Sequence, residues 1–287
     1  MKESVGALFP ADMQWLSGEI LRRVEHVREI RMRAGRPVIV RTGEGDFFID
    51  ASGNFMTDPA RARSITAQEM ENFFMHICND SPYAYEDALR QGFLTAAGGH
   101  RIGISGEAVQ DERGGIRTIR HIYYINIRIA HQVRGAADDI LPYVYESGAL
   151  KDVLIISPPG CGKTTLLRDL VRQISDGNRF SAGMNVAVVD ERSELAGCFM
   201  GIAQNDLGMR TDVLDACPKT RGMIMLLRSM APQVLAVDEI GDDEDMLAIR
   251  SASACGCRVI ATMHGAGPED IRSEEHTSEL QSLAYLV

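Results

Sequence analysis

The sequence lacks any long apolar run, and this absence bounds where the protein can reside. No stretch approaches the roughly 20 consecutive apolar residues that a membrane-spanning helix needs. The segment from Met1 to Pro10 has neither the charged start nor the long apolar run of a signal peptide. We therefore expect a cytoplasmic protein that reaches a membrane only peripherally, through a partner.

Cysteine is sparse, and a basic surplus is absent. Of the six cysteines, only Cys255 and Cys257 lie close together, and their spacing differs from that of common zinc sites. The pattern is typical of reduced thiols in the cytosol. Lysine and arginine number 30 against 40 aspartates and glutamates, which gives a formal net charge of −10. Because nucleic acids are normally bound by basic faces, this charge argues against a nucleic-acid partner.

Residues 1–135 have the pattern of a smaller α+β domain. Short strands separated by glycine turns accompany a helix predicted from Thr66 to Cys78. Thr66 and Glu69 fit a capping box at the start of this helix. Arginines that could supply a cation to phosphoryl transfer, here or in a neighbouring subunit, are Arg31, Arg33, Arg101, Arg120, Arg128, Arg134 and, later in the chain, Arg210.

The pattern changes after a connecting segment, residues 136–150. Over residues 151–271, short continuous apolar runs alternate with predicted helices, as expected for strands buried on both faces. This alternation predicts an α/β fold with a parallel sheet flanked by helices. Ligands of such sheets bind beyond the carboxyl ends of the strands, where the polar motifs of this chain fall. The predicted strands are Val153–Ile156, Val186–Val189, Val234–Val237 and Arg258–Met263.

A glycine-rich loop, Ser157-Pro-Pro-Gly-Cys-Gly-Lys-Thr-Thr165, follows the first of these strands. Backbone N–H groups can turn onto a triphosphate only where side chains do not collide, and the following helix N-terminus adds its dipole. Lys163 is expected to reach the phosphates of ATP, and the Thr164 hydroxyl to bind Mg²⁺. Ser157 stands where the usual phosphate-binding pattern has glycine. The residues expected to bind nucleotide are Pro159, Gly160, Cys161, Gly162, Lys163, Thr164 and Thr165.

The segment Val234-Leu-Ala-Val-Asp-Glu239 ends a predicted buried strand in two carboxylates. Asp238 is placed to hold the Mg²⁺ shell, since this ion prefers oxygen ligands and usually keeps several waters. Glu239 is placed to polarise the attacking water as a catalytic base. After a phosphate-binding loop, this pattern favours a catalytic pair over two carboxylates that merely start a helix.

Two further strand ends carry polar residues with more than one possible role. In Val188-Val-Asp-Glu-Arg-Ser-Glu194, Glu191 or Glu194 could activate water instead of Glu239, and Arg192 could touch phosphate. The same segment could also be an acidic turn that caps a helix. His264, at the tip of Ala261-Thr-Met-His264, is a candidate catalytic sensor of the γ-phosphate, although a lone histidine is more often structural.

Longer motifs resemble a known family. Gly208-Met-Arg-Thr-Asp-Val-Leu-Asp-Ala-Cys-Pro-Lys219, Arg228-Ser-Met-Ala-Pro-Gln-Val234 and Asp238-Glu-Ile-Gly241 closely resemble stage III sporulation protein AA, a family related to the type II and IV secretion ATPases. Arg28-Glu-Ile-Arg-Met-Arg-Ala-Gly-Arg-Pro37 and Ile125-Asn-Ile-Arg-Ile-Ala130 match it as well. The resemblance covers residues 15–271.

This resemblance implies a RecA-like P-loop core of the AAA+ kind, a smaller N-terminal domain and a hexameric ring. It also implies a role in energising the channel between mother cell and forespore. By the secretion-ATPase pattern, Asp190 to Glu194 matches an acidic box, Asp238-Glu239 the Mg²⁺ strand, and His264 a histidine box.

Residues 272–287 differ from the rest of the chain. The segment from Arg272 to Ser282 resembles an in-frame translation of a common sequencing-library adapter. We therefore expect the domain to be interrupted near Ile271 and followed by a foreign tail, with the terminal part of its sheet missing.

The sequence as a whole predicts an ATP-hydrolysing, homo-oligomeric motor subunit of a sporulation-associated secretion-type complex, acting on membrane-embedded channel proteins. Two other classes remain as alternatives. A RecA-like nucleic-acid motor would show salt-dependent DNA binding. A non-hydrolysing, nucleotide-gated ring scaffold would bind ATP without needing Glu239.

Overall fold

The computed structural model describes residues 1–267 and 284–286 of the chain. The chain forms two compact units, residues 1–131 and the residues from 132 onward, each with a sheet and core of its own. Within the described residues, no helix has the length and apolar content needed to cross a bilayer.

The first unit is built on a seven-stranded antiparallel sheet with the order β4-β3-β2-β1-β7-β6-β5. Glycine turns join neighbouring strands, as the Gly98-Gly99 and Gly114-Gly115 pairs predict. The strands are β1 (Val27–Arg33), β2 (Ile39–Thr42), β3 (Asp46–Ile49), β4 (Phe55–Met56), β5 (Phe93–Ala96), β6 (His100–Gln110) and β7 (Ile116–Arg128).

Helices cover the apolar face of this sheet, where Ile30 and Ile127 are buried with Phe73 of the longest helix. That helix begins at the predicted capping box, since the Thr66 hydroxyl accepts from the Glu69 N–H and the Glu69 carboxylate accepts in return. The helices are α1 (Lys2–Gly6), α2 (Gln14–Arg22), α3 (Ala67–Ile77) and α4 (Glu86–Gln91), with short 3₁₀ turns at Ala11–Met13, Pro59–Arg61 and Pro82–Tyr85.

The second unit is an α/β fold around a six-stranded parallel sheet with the order β14-β13-β15-β16-β10-β17. Two small hairpins, β8-β9 and β11-β12, lie outside it. In chain order the strands are β8 (Tyr145–Glu146), β9 (Ala149–Leu150), β10 (Val153–Ser157), β11 (Gly177–Asn178), β12 (Ser181–Ala182), β13 (Val186–Asp190), β14 (Thr211–Asp215), β15 (Val234–Val237), β16 (Arg258–His264) and β17 (Ala284–Leu286).

Helices cover both faces of this sheet, which explains the continuous apolar runs of its strands. One face packs against α6 (Lys163–Asp176), and the other packs against α7 (Lys219–Ser229) and α8 (Asp243–Ala254). A short helix, α5 (Leu141–Val144), lies in the segment predicted as a connector. Its Leu141 and Val144 are buried in the core beside α6.

The end of the chain bears on the predicted foreign tail. Ala284–Leu286 pair in parallel with β10 and form the outermost strand of the sheet. The remainder of the segment 272–287 lies outside the described residues, so its interpretation as a foreign tail stays a prediction.

Candidate functional site

The glycine-rich loop joins the carboxyl end of β10 to the start of α6. Gly160 and Gly162 have φ angles of 78° and 92°, a left-handed conformation that side chains rarely adopt. A Cβ atom at either position would meet nothing within 4 Å, so the surface of the loop is open. Pro159, Cys161 and both glycines are exposed, and Thr165 lies in the first turn of α6. The sequence therefore builds an open, exposed stretch of backbone at a helix N-terminus.

Lys163 folds back across this loop. Its Nζ donates to the carbonyls of Ser157, at 2.7 Å, and Pro158, at 3.1 Å, and lies 3.0 Å from Nδ1 of His264. The side chain is largely buried, yet none of these three partners is a carboxylate. A cation held in this way keeps its full charge available for an anion that enters the loop.

Thr164 connects the loop to the next polar strand end. Its hydroxyl donates to Oδ2 of Asp238 at 2.8 Å, and the hydroxyl of Thr262 donates to Oδ1 at 2.5 Å. Within the part of the chain that the structure describes, no three His, Cys, Asp or Glu side chains are grouped to hold a metal ion. A threonine hydroxyl beside one carboxylate fits Mg²⁺, which takes few protein oxygens and completes its shell with water and phosphate.

Glu239 is fixed at both its backbone and its side chain. Its φ of 53° is left-handed, an unusual conformation for a non-glycine residue. The backbone N–H donates to Thr262 Oγ1 at 2.8 Å, and the carbonyl accepts from Lys219 Nζ at 2.5 Å. These two contacts, from β16 and α7, hold the strained backbone and so set the direction of the carboxylate.

The carboxylate of Glu239 lies between two cationic or polar side chains. His264 Nε2 lies 3.0 Å from Oε1, and Arg192 donates to Oε2 at 2.7 Å. The Lys163 ammonium can only donate hydrogen bonds, so Nδ1 of His264 accepts one from it. The ring hydrogen of His264 is therefore on Nε2, which donates a hydrogen bond to the Glu239 carboxylate. The parallel pairing of β10 with β16 places Ser157 directly opposite His264. This register brings His264 to the phosphate loop, where it contacts Lys163.

The acidic segment that follows β13, residues 191–194, is held in place by the side chain of Asp190. This carboxylate is buried and accepts from the N–H groups of Glu194, at 2.8 Å, and Ala196, at 2.7 Å. Burial raises the pKa of Asp190, while the backbone hydrogen bonds oppose that shift. Arg168 of α6 ties the same segment to the phosphate loop's helix by donating to the carbonyls of Glu194 and Leu195. Asp190 is therefore a support of the segment.

Glu191 and Glu194 lie on the wall of one cleft, together with the central carboxylates. Both side chains are exposed. The residues that line the cleft are Asp190, Glu191, Arg192, Glu194, Lys219, Asp238 and Glu239. The structure thus brings all three candidate bases to one opening, and only Glu239 contacts His264.

The candidate arginines lie in different places. Arg210 precedes β14 at the amino end of the sheet, where it donates to the carbonyl of Ser175 at 3.0 Å. In the first unit, Arg31 pairs with Glu29 at 2.8 Å, and Arg101 stacks on the ring of Phe93. Arg210 is not among the residues that line the cleft of its own unit.

Sequence reasoning missed two residues that shape this site, Thr262 and Lys219. Thr262 lies two positions before His264 in β16, and the period-two alternation of a strand puts both on one side. That signal was present in the sequence. Lys219, at the first position of α7, also pairs with buried Asp245 at 3.1 Å, and no sequence motif indicates this contact.

Comparison with known proteins places the chain in a family. A model of the family described as sporulation stage III, protein AA, matches residues 1–285. The chain belongs to this family. Stage III sporulation protein AA of Bacillus subtilis (strain 168) is 41% identical over 261 residues, which cover 91% of this chain and 77% of that protein.

Solved structures related to this family member share its fold. The Legionella pneumophila ATPase DotB aligns with a TM-score of 0.57 and 17% identity, over 90% of this chain and 70% of that one. The pilus retraction motor PilT, solved with bound ADP, aligns with a TM-score of 0.59 and 16% identity, over 92% and 72%. The second unit accordingly has a RecA-like α/β fold, and the unit with the antiparallel sheet precedes it in the chain.

Proposed function

We propose that the protein binds ATP with Mg²⁺ and hydrolyses it to ADP and phosphate. One observation carries this proposal, the 2.8 Å contact of Thr164 in the loop with Asp238 at the end of β15. A hydroxyl of the phosphate loop and a strand-end carboxylate meet there at the place where a phosphate-bound Mg²⁺ is held in P-loop enzymes. The adjacent Glu239 would supply the base.

Phosphate binding would use groups that the free protein leaves available. The N–H groups of residues 160–165, which include the N-terminus of α6, would take the α- and β-phosphates. Lys163 would exchange the carbonyls of Ser157 and Pro158 for the β- and γ-phosphates, a stronger charge-assisted contact. Thr164 and Asp238 would hold Mg²⁺, which neutralises charge that develops on the phosphate oxygens.

Glu239 would orient and deprotonate the attacking water. The water oxygen forms a bond to the γ-phosphorus, the bond to the bridging oxygen breaks, and its electron pair stays on ADP. The proton of the water passes to the Glu239 carboxylate and from there to solvent. His264, in contact with both Lys163 and Glu239, would connect the occupied phosphate site to the base. Catalysis in this scheme is mainly positional and electrostatic.

The proposed assembly extends the family relationship. We infer a hexameric ring that acts peripherally at a membrane, on channel proteins between mother cell and forespore, and uses turnover to move one unit of each chain. The membership of the sporulation family and the fold shared with DotB and PilT support this assignment.

The test compares three carboxylate variants in steady-state phosphate release with ATP and Mg²⁺. Glu239→Gln should lower turnover by about 10²–10⁴-fold, the usual loss for a catalytic base, while ATP binding persists. Glu191→Gln and Glu194→Gln are matched controls from the same cleft and should retain turnover. If either control lost more turnover than Glu239→Gln does, the residue changed in that control would be the catalytic base.

Two outcomes would replace the proposal. ATP binding without turnover in the wild type, unchanged by Glu239→Gln, would favour a nucleotide-gated scaffold. Turnover that requires DNA and falls steeply with salt would favour a nucleic-acid motor.

A further inference from the structure

Four of the described cations at or beside the candidate nucleotide site differ in the groups that hold them. Lys163 belongs to the phosphate loop itself. Arg168 is fixed to the backbone carbonyls of Glu194 and Leu195, and Lys219 is held by Asp245. Arg192 makes one ion pair, with Glu239 at 2.7 Å.

Breaking the contacts of Lys219 or Arg168 would cost the folded protein considerable stability. The Asp245 side chain is 1% exposed, so removing Lys219 would leave a buried carboxylate without its cation, which is strongly destabilising. Arg168 is the anchor between α6 and the acidic segment, and without it two carbonyls of that segment would lose their donor.

Arg192, in contrast, is held by an exposed ion pair that is easily broken. Its side chain is 62% exposed and that of Glu239 is 36% exposed, and ion pairs this close to solvent contribute little to stability. A triphosphate offers more negative charge and a bidentate geometry that suits a guanidinium. Of these four cations, Arg192 is therefore the one that can exchange its partner for a phosphate at small cost.

The backbone that carries Arg192 is firmly held. The next residue, Ser193, donates to Asp215 at 2.6 Å, and Asp190 accepts from the N–H groups of Glu194 and Ala196. Arg192 also lines the same cleft as Asp238, the candidate Mg²⁺ ligand. An exposed side chain on a hydrogen-bonded segment can reorient without moving the rest of the site.

We propose that Arg192 is a catalytic cation supplied by the same chain. When ATP binds, the Arg192 side chain breaks its ion pair with Glu239 and binds the γ-phosphate instead. The proposal rests on the proposed ATPase function. When Arg192 leaves, Oε2 of Glu239 loses its donor and becomes free to accept from water, while His264 still holds Oε1. ADP has no γ-phosphate, so Arg192 stays on Glu239 in the ADP state. One side chain thereby recognises ATP and releases the base.

The test measures nucleotide affinity by calorimetry and phosphate release, both with Mg²⁺ and the full chain. Arg192→Gln should weaken ATPγS binding about tenfold and leave ADP binding unchanged, because only the γ-phosphate loses a charged donor. Turnover at saturating ATP should fall by about 100-fold, below the full effect of an arginine finger because Lys163 remains. Arg192→Lys should recover part of the ATPγS affinity and little turnover.

The matched control is Arg258→Gln, which removes an arginine from another exposed ion pair of the same unit, with Asp152 at 3.1 Å. It should behave as the wild type. ATPγS affinity or turnover that is unchanged or raised in Arg192→Gln would overturn the proposal and leave Arg192 as a clamp on Glu239. An equal loss for ATPγS and ADP would also overturn it.

The design separates this inference from the proposed function. If the wild type binds nucleotide but does not hydrolyse it, the ATPase proposal and the catalytic role of Arg192 both fail, and the ATPγS-to-ADP affinity ratio still decides whether Arg192 recognises the γ-phosphate. If turnover is lost in Lys163→Ala but retained in Arg192→Gln, the ATPase proposal stands and this inference fails.

Discussion

At the scale of single residues, Thr262 links the two carboxylates on which the proposed chemistry depends. It is fully buried, donates to Asp238 Oδ1 and accepts from the Glu239 N–H. One hydroxyl thus fixes the candidate Mg²⁺ ligand and the strained backbone of the candidate base. We regard Thr262 as a positioning residue, since it would touch neither nucleotide nor metal.

Thr262→Val keeps the shape of the side chain and removes its hydroxyl. The Mg²⁺ concentration for half-maximal turnover should rise about tenfold or more, as is usual when an outer partner of a metal ligand is lost. Stability should fall by about 1–3 kcal/mol, because the part-buried Glu239 N–H loses its acceptor. Titrating phosphate release with Mg²⁺ measures the first effect, and urea unfolding the second.

Thr262→Ser is the control, since it restores the hydroxyl without the methyl group. It should return the Mg²⁺ requirement to nearly the wild-type value. A Mg²⁺ requirement unchanged in Thr262→Val, despite lower stability, would show that Thr262 has only a structural role.

Short sequence motifs predict the four central residues of the candidate site. The contacts between them and other segments depend on how the strands pair. Lys163, Thr164, Asp238 and Glu239 follow from short motifs, because each motif fixes its own backbone. The contacts of Arg192 and His264 with Glu239 join segments far apart in sequence. They depend on which strands are neighbours, and a single sequence does not contain that information in any local pattern.

At the scale of elements, α7 packs against β13 with no space between them at Gly222. A Cβ atom there would lie 2.6 Å from Cγ1 of Val189 and 3.3 Å from Cδ2 of Leu214. Both neighbours belong to the core of the sheet or pack against it. This close approach brings the first residue of α7, Lys219, within reach of the Glu239 carbonyl.

Gly222→Ala should therefore destabilise the protein although alanine is the better helix former. Overpacking of this kind costs about 1–3 kcal/mol, which exceeds the roughly 1 kcal/mol gained in helix propensity. Thermal unfolding followed by circular dichroism measures the change. Gly18→Ala in α2 is the control, because a Cβ atom there meets nothing within 4 Å and stability should rise. Equal gains at both positions would refute the packing argument.

The sequence predicted elements well where they were strongly patterned and missed weaker ones. Strands β10, β13, β15 and β16 were predicted from their apolar runs. Strand β14, Thr211–Asp215, was missed because it forms one edge of the sheet and is half-buried throughout. Three of its five residues, Thr211, Asp212 and Asp215, are polar, so no continuous apolar run marks it.

At the scale of the whole molecule, the order of the strands in the second sheet assembles the site. Strand β16 lies between β10, which leads into the phosphate loop, and β15, which leads into Asp238 and Glu239. Thr262 and His264 on β16 therefore meet both neighbours. The parallel α/β class follows from the sequence, whereas this strand order came only with the structure.

The most direct test of the account is steady-state phosphate release by the wild type and by Lys163→Ala, each with ATP and Mg²⁺. Lys163 is the one side chain that contacts both the loop carbonyls and His264 among the residues described. We expect turnover by the wild type and a loss of about 100-fold or more in the variant, since the principal phosphate cation is gone. Equal turnover in both proteins, or no ATP binding by the wild type, would contradict it.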